Sequence, residues 1–518
     1  MDNHHHQNPS EVLLTTHPHV LFFPLPLQGP VNCLLKLAEI FCLHRIQVTF
    51  LNTDYIHRRL LRYSDISTRF NRYGELFRFR TVSDGLREDS LRTSEQIGEL
   101  LESMESSSLP VFREMVRSSV FRLGGGGAGG AAYDDDRDGN PISCIIADGA
   151  FGFAADVAGE FGVSIFYFDT ISPCAQWAIL NARRLKEGGD YPFKDDGMDA
   201  PVTSLPGMEG FLRRRDLPSF FRNSDQSDPI IQRLMSVESP MRRAHGLIFN
   251  SFVDLEGPTL SQLQTLTPKV YAIGPLHTHH KTRLSSDHHQ NQESIGNSTN
   301  SLWKENKDCI SWLDKQPAKS VIYVSIGSLA VMGNEQFMEI WHGIVNSGVR
   351  FLWVRRPGSV AGLGQENGES SEIHRDLELA TKERGYIVSW APQEEVLAHP
   401  AVGGFFTHSG WNSTLESIVE GVPMICWPYY ADQQMNSRYV GEVWKVGLDM
   451  KDTCDRGIVE MMIREIMEDG KNEILGRVED MAKLAKACVN KGGSSYHDLN
   501  RLVEDIKSTT PRRHNRCL

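Results

Sequence analysis

The sequence predicts an α/β protein of two doubly wound parallel-sheet domains, and three observations carry that expectation. Short β-rich runs alternate with longer runs of helical periodicity, the pattern of strand–helix–strand units that feed a parallel sheet. The alternation comes as two series, separated by a polar stretch rich in His and Asn. The chain has 518 residues, more than one hydrophobic core organises.

The first series opens with HVLFFPLP (19–26), a continuous apolar run of buried-strand length. VNCLLKLAEIFCLH (31–44) follows with apolar residues at helical spacing, and QVTFLNT (47–53) is the next strand. FRFRTVS (77–83), SCIIADG (143–149), SIFYF (164–168) and GLIFNS (246–251) continue the series. The second series runs SVIYVSIGS (320–328), RFLWVR (350–355), GYIVSW (385–390), GGFFTH (403–408) and PMICWP (423–428). Between them, HTHHKTRLSSDHHQNQESIGNSTNS (277–301) has no apolar periodicity and reads as an exposed linker with solvated histidines. The expected division is therefore 1–276, a linker at 277–304, 305–490, and a closing helical segment within 491–518. LGGGGAGGAAYDDDRDGNP (123–141) has the glycine content of a phosphate loop. It lacks GK[ST] and a leading strand, so a surface insertion is expected there.

Composition excludes several classes. Hydrophobic residues make up 40% and charged residues 23%, as in ordinary globular proteins, and the net charge of −12 argues against nucleic-acid binding. No run reaches the roughly 18–20 apolar residues of a membrane span. The polar start MDNHHHQNPSEVLLTT is not a secretory signal, and Cys517 does not form a prenylation box. Nine scattered cysteines without a CxxC pair fit reduced thiols, hence a cytoplasmic protein, expected as a monomer. No GxGxxG opens a helix after a strand, which disfavours a nicotinamide-dependent oxidoreductase.

The most informative stretch is 390–433, WAPQEEVLAHPAVGGFFTHSGWNSTLESIVEGVPMICWPYYADQ. A buried strand ends at His408-Ser409-Gly410, and a helix opens with Trp411-Asn412-Ser413-Thr414. Small and hydroxylated residues at such a turn let backbone N–H groups and hydroxyls converge on an anion at a helix N-terminus. Glu416, expected in the first helical turn, is a candidate acceptor for a ribose diol. Trp390 offers a flat face to a base. Asp432-Gln433 follow another strand and suit sugar hydroxyls. Taken singly, the tryptophans also fit an ordinary core and Glu416 a solvated helix face.

As a unit, this segment closely resembles the nucleotide-sugar signature box of plant family 1 UDP-glycosyltransferases. The resemblance implies the GT-B architecture, two Rossmann-like domains facing across a cleft, with the last helical run (494–508) crossing back onto the first domain. It also implies UDP-glucose as donor substrate, inversion, and neither cofactor nor metal. Trp390 and Ala391 would lie against uracil, with Gln393 and Glu416 on the ribose. His408, Asn412 and Ser413 would contact the diphosphate, and Trp411, Asp432 and Gln433 would face the glucose. Gly327-Ser328, after strand 320–326, would face the phosphates, although Ser328 also suits a helix N-cap. LNTDYIHRRLL (51–61) and GMEGFLRRRDLPSFF (207–221) resemble a subgroup that glucosylates small terpenoids, including the iridoid 7-deoxyloganetic acid.

One residue departs from the family pattern. Relatives carry a histidine base in a QGH-like turn after the first strand, oriented by a carboxylate on a later strand. Here the turn reads Leu27-Gln28-Gly29-Pro30, and Pro30 stands in the histidine's place. His19 is no substitute, because it begins the strand at the opposite sheet end. The orienting carboxylate is retained as Asp148. Either the acceptor needs no strong base, being a carboxylate or an acidic hydroxyl, or Pro30 is a variant, or Asp148 and Asp169 are the candidate replacements; a capping aspartate is the plainer reading of Asp148, and a helix cap or surface acid that of Asp169. Gly29, Thr170, Trp177 and the segment 85–120 are expected around the acceptor. Arg213-Arg214-Arg215 suit either an acidic acceptor or a solvated loop. The reading is a UDP-glucose-dependent O-glucosyltransferase acting on a small terpenoid, phenolic or carboxylic aglycone. The alternative is a UDP-sugar-binding pseudoenzyme or weakly active paralogue.

Overall fold

The computed structural model describes residues 17–509 except 89, 91, 122–139, 194–196, 224, 226, 268, 287–299, 362–378, 380–381 and 470–472. The glycine-rich insertion lies almost wholly outside these residues, as do the polar N-terminus and Cys517.

Two all-parallel sheets organise the chain. The first holds β1 (His19–Phe23), β2 (Gln47–Thr53), β3 (Phe77–Val82), β4 (Cys144–Asp148), β5 (Ser164–Asp169), β6 (Gly246–Phe249) and β7 (Val270–Ala272), in the order β3-β2-β1-β4-β5-β6-β7. The second holds β8 (Val321–Ser325), β9 (Arg350–Val354), β10 (Gly385–Val388), β11 (Val402–Thr407), β12 (Met424–Cys426) and β13 (Gly447–Asp449), in the order β10-β9-β8-β11-β12-β13. Central strands such as HVLFF and VIYVS are buried at every residue. Covered on both faces, they read as continuous apolar runs rather than alternating ones.

Every strand expected from sequence is present, and two were missed. β7 and β13 are three-residue edge strands, too short to carry a period. In each sheet the strand order reverses once, between β1 and β4 and between β8 and β11. Ligands of doubly wound sheets settle beyond the strand ends at such reversals. The paired ends are Phe23 beside Ala147 and Ser325 beside Thr407, so residues 24–30, Asp148, Ile326–Ser328 and His408 flank the two reversals.

The linker expectation needs correcting. Leu276–Ser286 is a helix, and His277, His279 and His280 are buried in it. His280 Nε2 lies 2.6 Å from Glu39 Oε2, and His279 Nδ1 lies 2.9 Å from the Ile273 carbonyl. Burial holds all three imidazoles below their usual pKa. A histidine satisfied by internal partners looks polar in sequence and behaves as core. The terminal helix Ser494–Ser508 packs on β7: the Ala272 N–H donates to Asp498 at 2.8 Å, and Tyr271 bonds Asp505. Among the described residues, no helix is long and apolar enough to cross a membrane, and the eight cysteines are free thiols.

Candidate active site

The two switch points open into one cavity of about 1190 Å³ between the sheets. It is bordered by Gly29, Pro30, Asp148, Asp169, Thr170, Gly327 and Ser328, and by Trp390, Ala391, Gln393, His408, Trp411, Asn412, Ser413, Glu416, Asp432 and Gln433. Trp177 is the exception among the expected residues. It is buried, donates its indole N–H to the Pro206 carbonyl at 3.0 Å, and does not border the cavity; its neighbours Gln176 and Ile179 do. From the 85–120 segment, Ile97, Leu101, Glu102 and Glu105 reach the cavity.

The donor half is built at the end of β11. Ser409 takes a left-handed φ of 62°, and the helix Trp411–Glu420 starts after Gly410 as N-cap. Glu416 is therefore in the second turn, not the first. A side chain at Gly327, whose φ is 79°, would collide with the His408 imidazole, so only glycine lets that ring lie across the turn. Burial lowers the His408 pKa to about 4, leaving a neutral ring at the end of β11. Ser328 borders the cavity and caps no helix, since the next one begins at Asn334 with Gly333 as its N-cap.

Gln393 ties together the residues expected around the ribose. Its Nε2 donates to Ser413 Oγ at 2.8 Å and to Glu416 Oε2 at 2.7 Å, while Oε1 accepts from the Tyr323 hydroxyl at 3.2 Å. Burial, reinforced by the charge of Glu394, pushes the Glu416 carboxyl up to about 7; Lys36 opposes the shift. Glu394 is half-buried, and Lys36 at 2.5 Å and Lys281 at 2.8 Å hold its pKa low. This Lys36–Glu394–Lys281 cluster was not visible in sequence, because its members come from three separate elements. Replacing Trp390 or Glu416 with Ala is expected to weaken UDP binding by roughly 1–3 kcal/mol each, the scale of one base stack or one charged hydrogen bond. Calorimetry finding unchanged UDP affinity in both folded variants would refute this placement.

Several box residues also bind the first domain. Asn412 Nδ2 donates to the Gly29 carbonyl at 3.3 Å, and Oδ1 accepts from Asn250 at 3.1 Å and from the Cys33 thiol at 3.1 Å. Trp411, expected to face glucose, borders the cavity; the residue is 2% exposed and its indole N–H is committed to the Asn250 carbonyl at 2.7 Å. Gln433 Oε1 accepts from the backbone N–H groups of Tyr429 and Tyr430 at 2.8 and 2.7 Å, so its amide N–H₂ is the end left for a sugar. Asp432 Oδ2 accepts from Asn436 at 2.7 Å and from the Ser172 N–H at 3.4 Å; burial raises its pKa to about 6.

Two carboxyls stand at the first domain's sheet ends. Asp148 accepts from the Ala150 N–H at 3.0 Å and from the Thr170 hydroxyl at 3.5 Å, and burial raises it to about 6. Asp169 is equally buried, and its Oδ2 has no hydrogen-bond partner. Burial, then the charge of Asp148, pushes Asp169 well above the ordinary carboxyl range. A side chain at Gly149 would collide with Asp169 Oδ1. Pro30 is the third residue of the helix Gln28–Leu43, a first-turn position where its missing N–H costs nothing. His19 bonds Asn140 and Thr49 at the far end of β1. Arg213, Arg214 and Arg215 are neither at the cavity nor a free basic loop, because Asp216, Asp190, Asp199 and Asp452 pair them.

Two doubly wound sheets whose switch points open into one cavity, with a helix N-terminus and the Glu416 carboxyl on one side, have the architecture of GT-B glycosyltransferases. The comparisons agree. The family described as UDP-glucoronosyl and UDP-glucosyl transferase matches residues 220–476. The chain is 50% identical over 492 residues to a 7-deoxyloganetic acid glucosyltransferase of Catharanthus roseus, covering 95% of this chain and 98% of the relative. It is 39% identical to a myricetin 3-O-rhamnoside 1,2-glucosyltransferase of Crocosmia x crocosmiiflora, covering 95% and 96%. Among solved structures, Os79 from O. sativa with UDP superposes with a TM-score of 0.72 at 26% identity, covering 94% of this chain and 100% of that one. Medicago truncatula UGT71G1 with UDP-glucose gives 0.72 at 25%, covering 95% and 98%. The chain belongs to the UDP-glycosyltransferase family and is a glycosyltransferase of GT-B fold.

Proposed function

We propose that this protein transfers glucose, with inversion, from UDP-glucose to a hydroxyl of a small aglycone of the terpenoid or iridoid type. The observation that carries the reading is the convergence of both ends and the central turn of the 390–433 segment (390–395, 408–416 and 430–433) with the β1, β4 and β5 ends on one cavity. Trp390 and Ala391 receive uracil, and Gln393 and Glu416 hold the ribose. His408, Asn412, Ser413, Gly327 and Ser328 stabilise the departing diphosphate. Asp432 and Gln433 orient the hexose. The acceptor enters between the apolar side chains Ile97, Leu101, Phe153, Ile179 and Leu234. The Catharanthus relative, named for an iridoid acid, supports an acceptor of that class.

Inversion requires in-line attack as the acceptor oxygen loses its proton. With Pro30 in the usual base position, the proton goes to the carboxyl pair Asp148–Asp169. A binding-only protein gains no support from the relatives, which are named as glucosyltransferases. We further place the protein in the cytoplasm as a monomer; its free thiols accord with a reducing compartment.

The test is direct. Incubation with UDP-glucose and a panel of aglycones, followed by mass spectrometry, is expected to give a mono-glucosylated terpenoid with stoichiometric UDP release. UDP release without any product in the panel would overturn the reading. UDP-glucose is expected to outperform UDP-galactose, because the Gln433 amide presents donors matched to the glucose hydroxyls. Equal or faster turnover of UDP-galactose would refute that role for Gln433.

A further inference from the structure

The short segment Ser301–Asn306 reaches the donor end by contacts that the roles above do not use. The Trp303 ring lies 5.8 Å from the Trp390 ring, centroid to centroid, with 29° between their planes. Trp390 borders the cavity and Trp303 does not, and Trp303 occupies one of the two faces of the Trp390 ring. The Arg59 guanidinium, from the first domain, sits 4.2 Å from the Trp303 centroid, and the buried Arg356 sits 5.4 Å from it.

The backbone around Trp303 is tied to both domains. The Asn306 N–H donates to the Trp390 carbonyl at 2.9 Å. Arg59 Nε donates to the Leu302 carbonyl at 3.0 Å, and the Leu302 N–H donates to Gln28 Oε1 at 2.8 Å. Trp303 is thus fixed by its chain as well as by its ring.

A stacking platform works best when it is rigid before the ligand arrives. Trp390 stands on a loop beyond β10, where an unsupported indole would lose rotamer freedom on receiving a base. A second indole behind it removes that freedom in advance and adds an aromatic contact. A guanidinium over the rear ring holds that ring through a cation–π contact.

We propose that Trp303 is a positioning residue for the base of the donor. The layers run Arg59, Trp303, Trp390, and the uracil face completes the stack. The inference rests on the UDP-donor reading above. It also makes base binding depend on the first domain, because Arg59 and Gln28 belong to that domain and carry the rear layer.

The experiment compares UDP with inorganic diphosphate, which keeps the phosphates and lacks the base. Calorimetry on the full chain is expected to show UDP binding weakened about threefold to tenfold by Trp303→Leu, the scale of one aromatic pair. Inhibition by inorganic diphosphate should hardly change. Trp303→Phe should restore most of the loss, and the KM for UDP-glucose should rise more than kcat falls. Arg59→Leu keeps both indoles and should shift UDP in the same direction by a smaller factor; this arm decides the matter if Trp303→Leu does not fold. Unchanged UDP affinity, an equal loss for inorganic diphosphate, or no rescue by phenylalanine would each overturn the stack. A wild-type chain that fails to bind UDP would instead remove the donor reading itself.

Discussion

Asp169→Asn is expected to lower kcat on a neutral hydroxyl acceptor by about 10²–10⁴-fold, the range of general-base assistance, while UDP binding stays close to wild type. Asp148 is already braced by the Ala150 N–H and the Thr170 hydroxyl. Asp169 keeps an unpartnered buried oxygen beside the cavity. None of the groups that shift either carboxyl is a cation. Two buried carboxyls without a counter-charge do not both ionise readily, so the pair holds one proton between them near neutral pH. Asp148 is then the charged member, and Asp169 can take the acceptor's proton on its free Oδ2 only by passing its own proton to Asp148 as the oxygen attacks the anomeric carbon. The wild-type pH profile should then rise through about 6, where the first carboxyl ionises, and reach a plateau above it. The stability argument has the opposite sign. A carboxyl whose folded pKa is raised contributes stability that is full below its unfolded value and lost as pH rises through the folded value. At neutral pH, therefore, Asp169 weakens the fold, and Asp169→Asn should raise Tm while lowering kcat. A variant with lower Tm and unchanged kcat would show a structural carboxyl. A carboxylic-acid acceptor, already ionised, should be nearly indifferent to the substitution.

Much of this was legible in the chain, for identifiable reasons. Doubly buried strands such as VIYVS are plain in sequence because both faces demand apolar residues. The expected donor residues were legible as a group because most of them lie in one segment, and they border one cavity. The acceptor side comes from scattered elements, and there Trp177 was misplaced by one helical position: Gln176 and Ile179 face the cavity instead. The 277–286 histidines failed for a related reason, and Trp411 has an internal tie that its sequence did not show. Composition shows that a residue can hydrogen-bond, not that its partner is already inside the protein, as Asn250 is for Trp411 and Glu39 for His280. Trp303 left no signal at all, because a lone tryptophan after a polar stretch has meaning only once Trp390 and Arg59 are seen beside it.

Pro30→His tests the same chemistry from the other side. The residue is third in its helix, after Leu27 as N-cap, and borders the cavity, so an imidazole there would face the acceptor. Asp148 stands across the β1–β4 reversal, where its backbone partners include Leu25 of the same turn. It is thus suited to orient a ring at position 30 and to stabilise its protonated form. In the wild-type background, Pro30→His should add little on neutral acceptors, because the carboxyl pair already removes the proton. In the Asp169→Asn background, it should recover most of the lost activity, a gain on the order of 10²-fold or more if the histidine acts as a full general base. Adding Asp148→Ala to that double variant should cancel the gain, since the ring then loses its orienting partner. The recovered enzyme should also lose activity as pH falls through the range where imidazole protonates, near 6.5 for an unperturbed ring. The outcome that would sink the carboxyl-pair mechanism is a hundredfold rise from Pro30→His alone, measured as kcat on a neutral alcohol. That result would mean that the natural chain runs without an effective base, and that Asp169 holds its proton without passing it on.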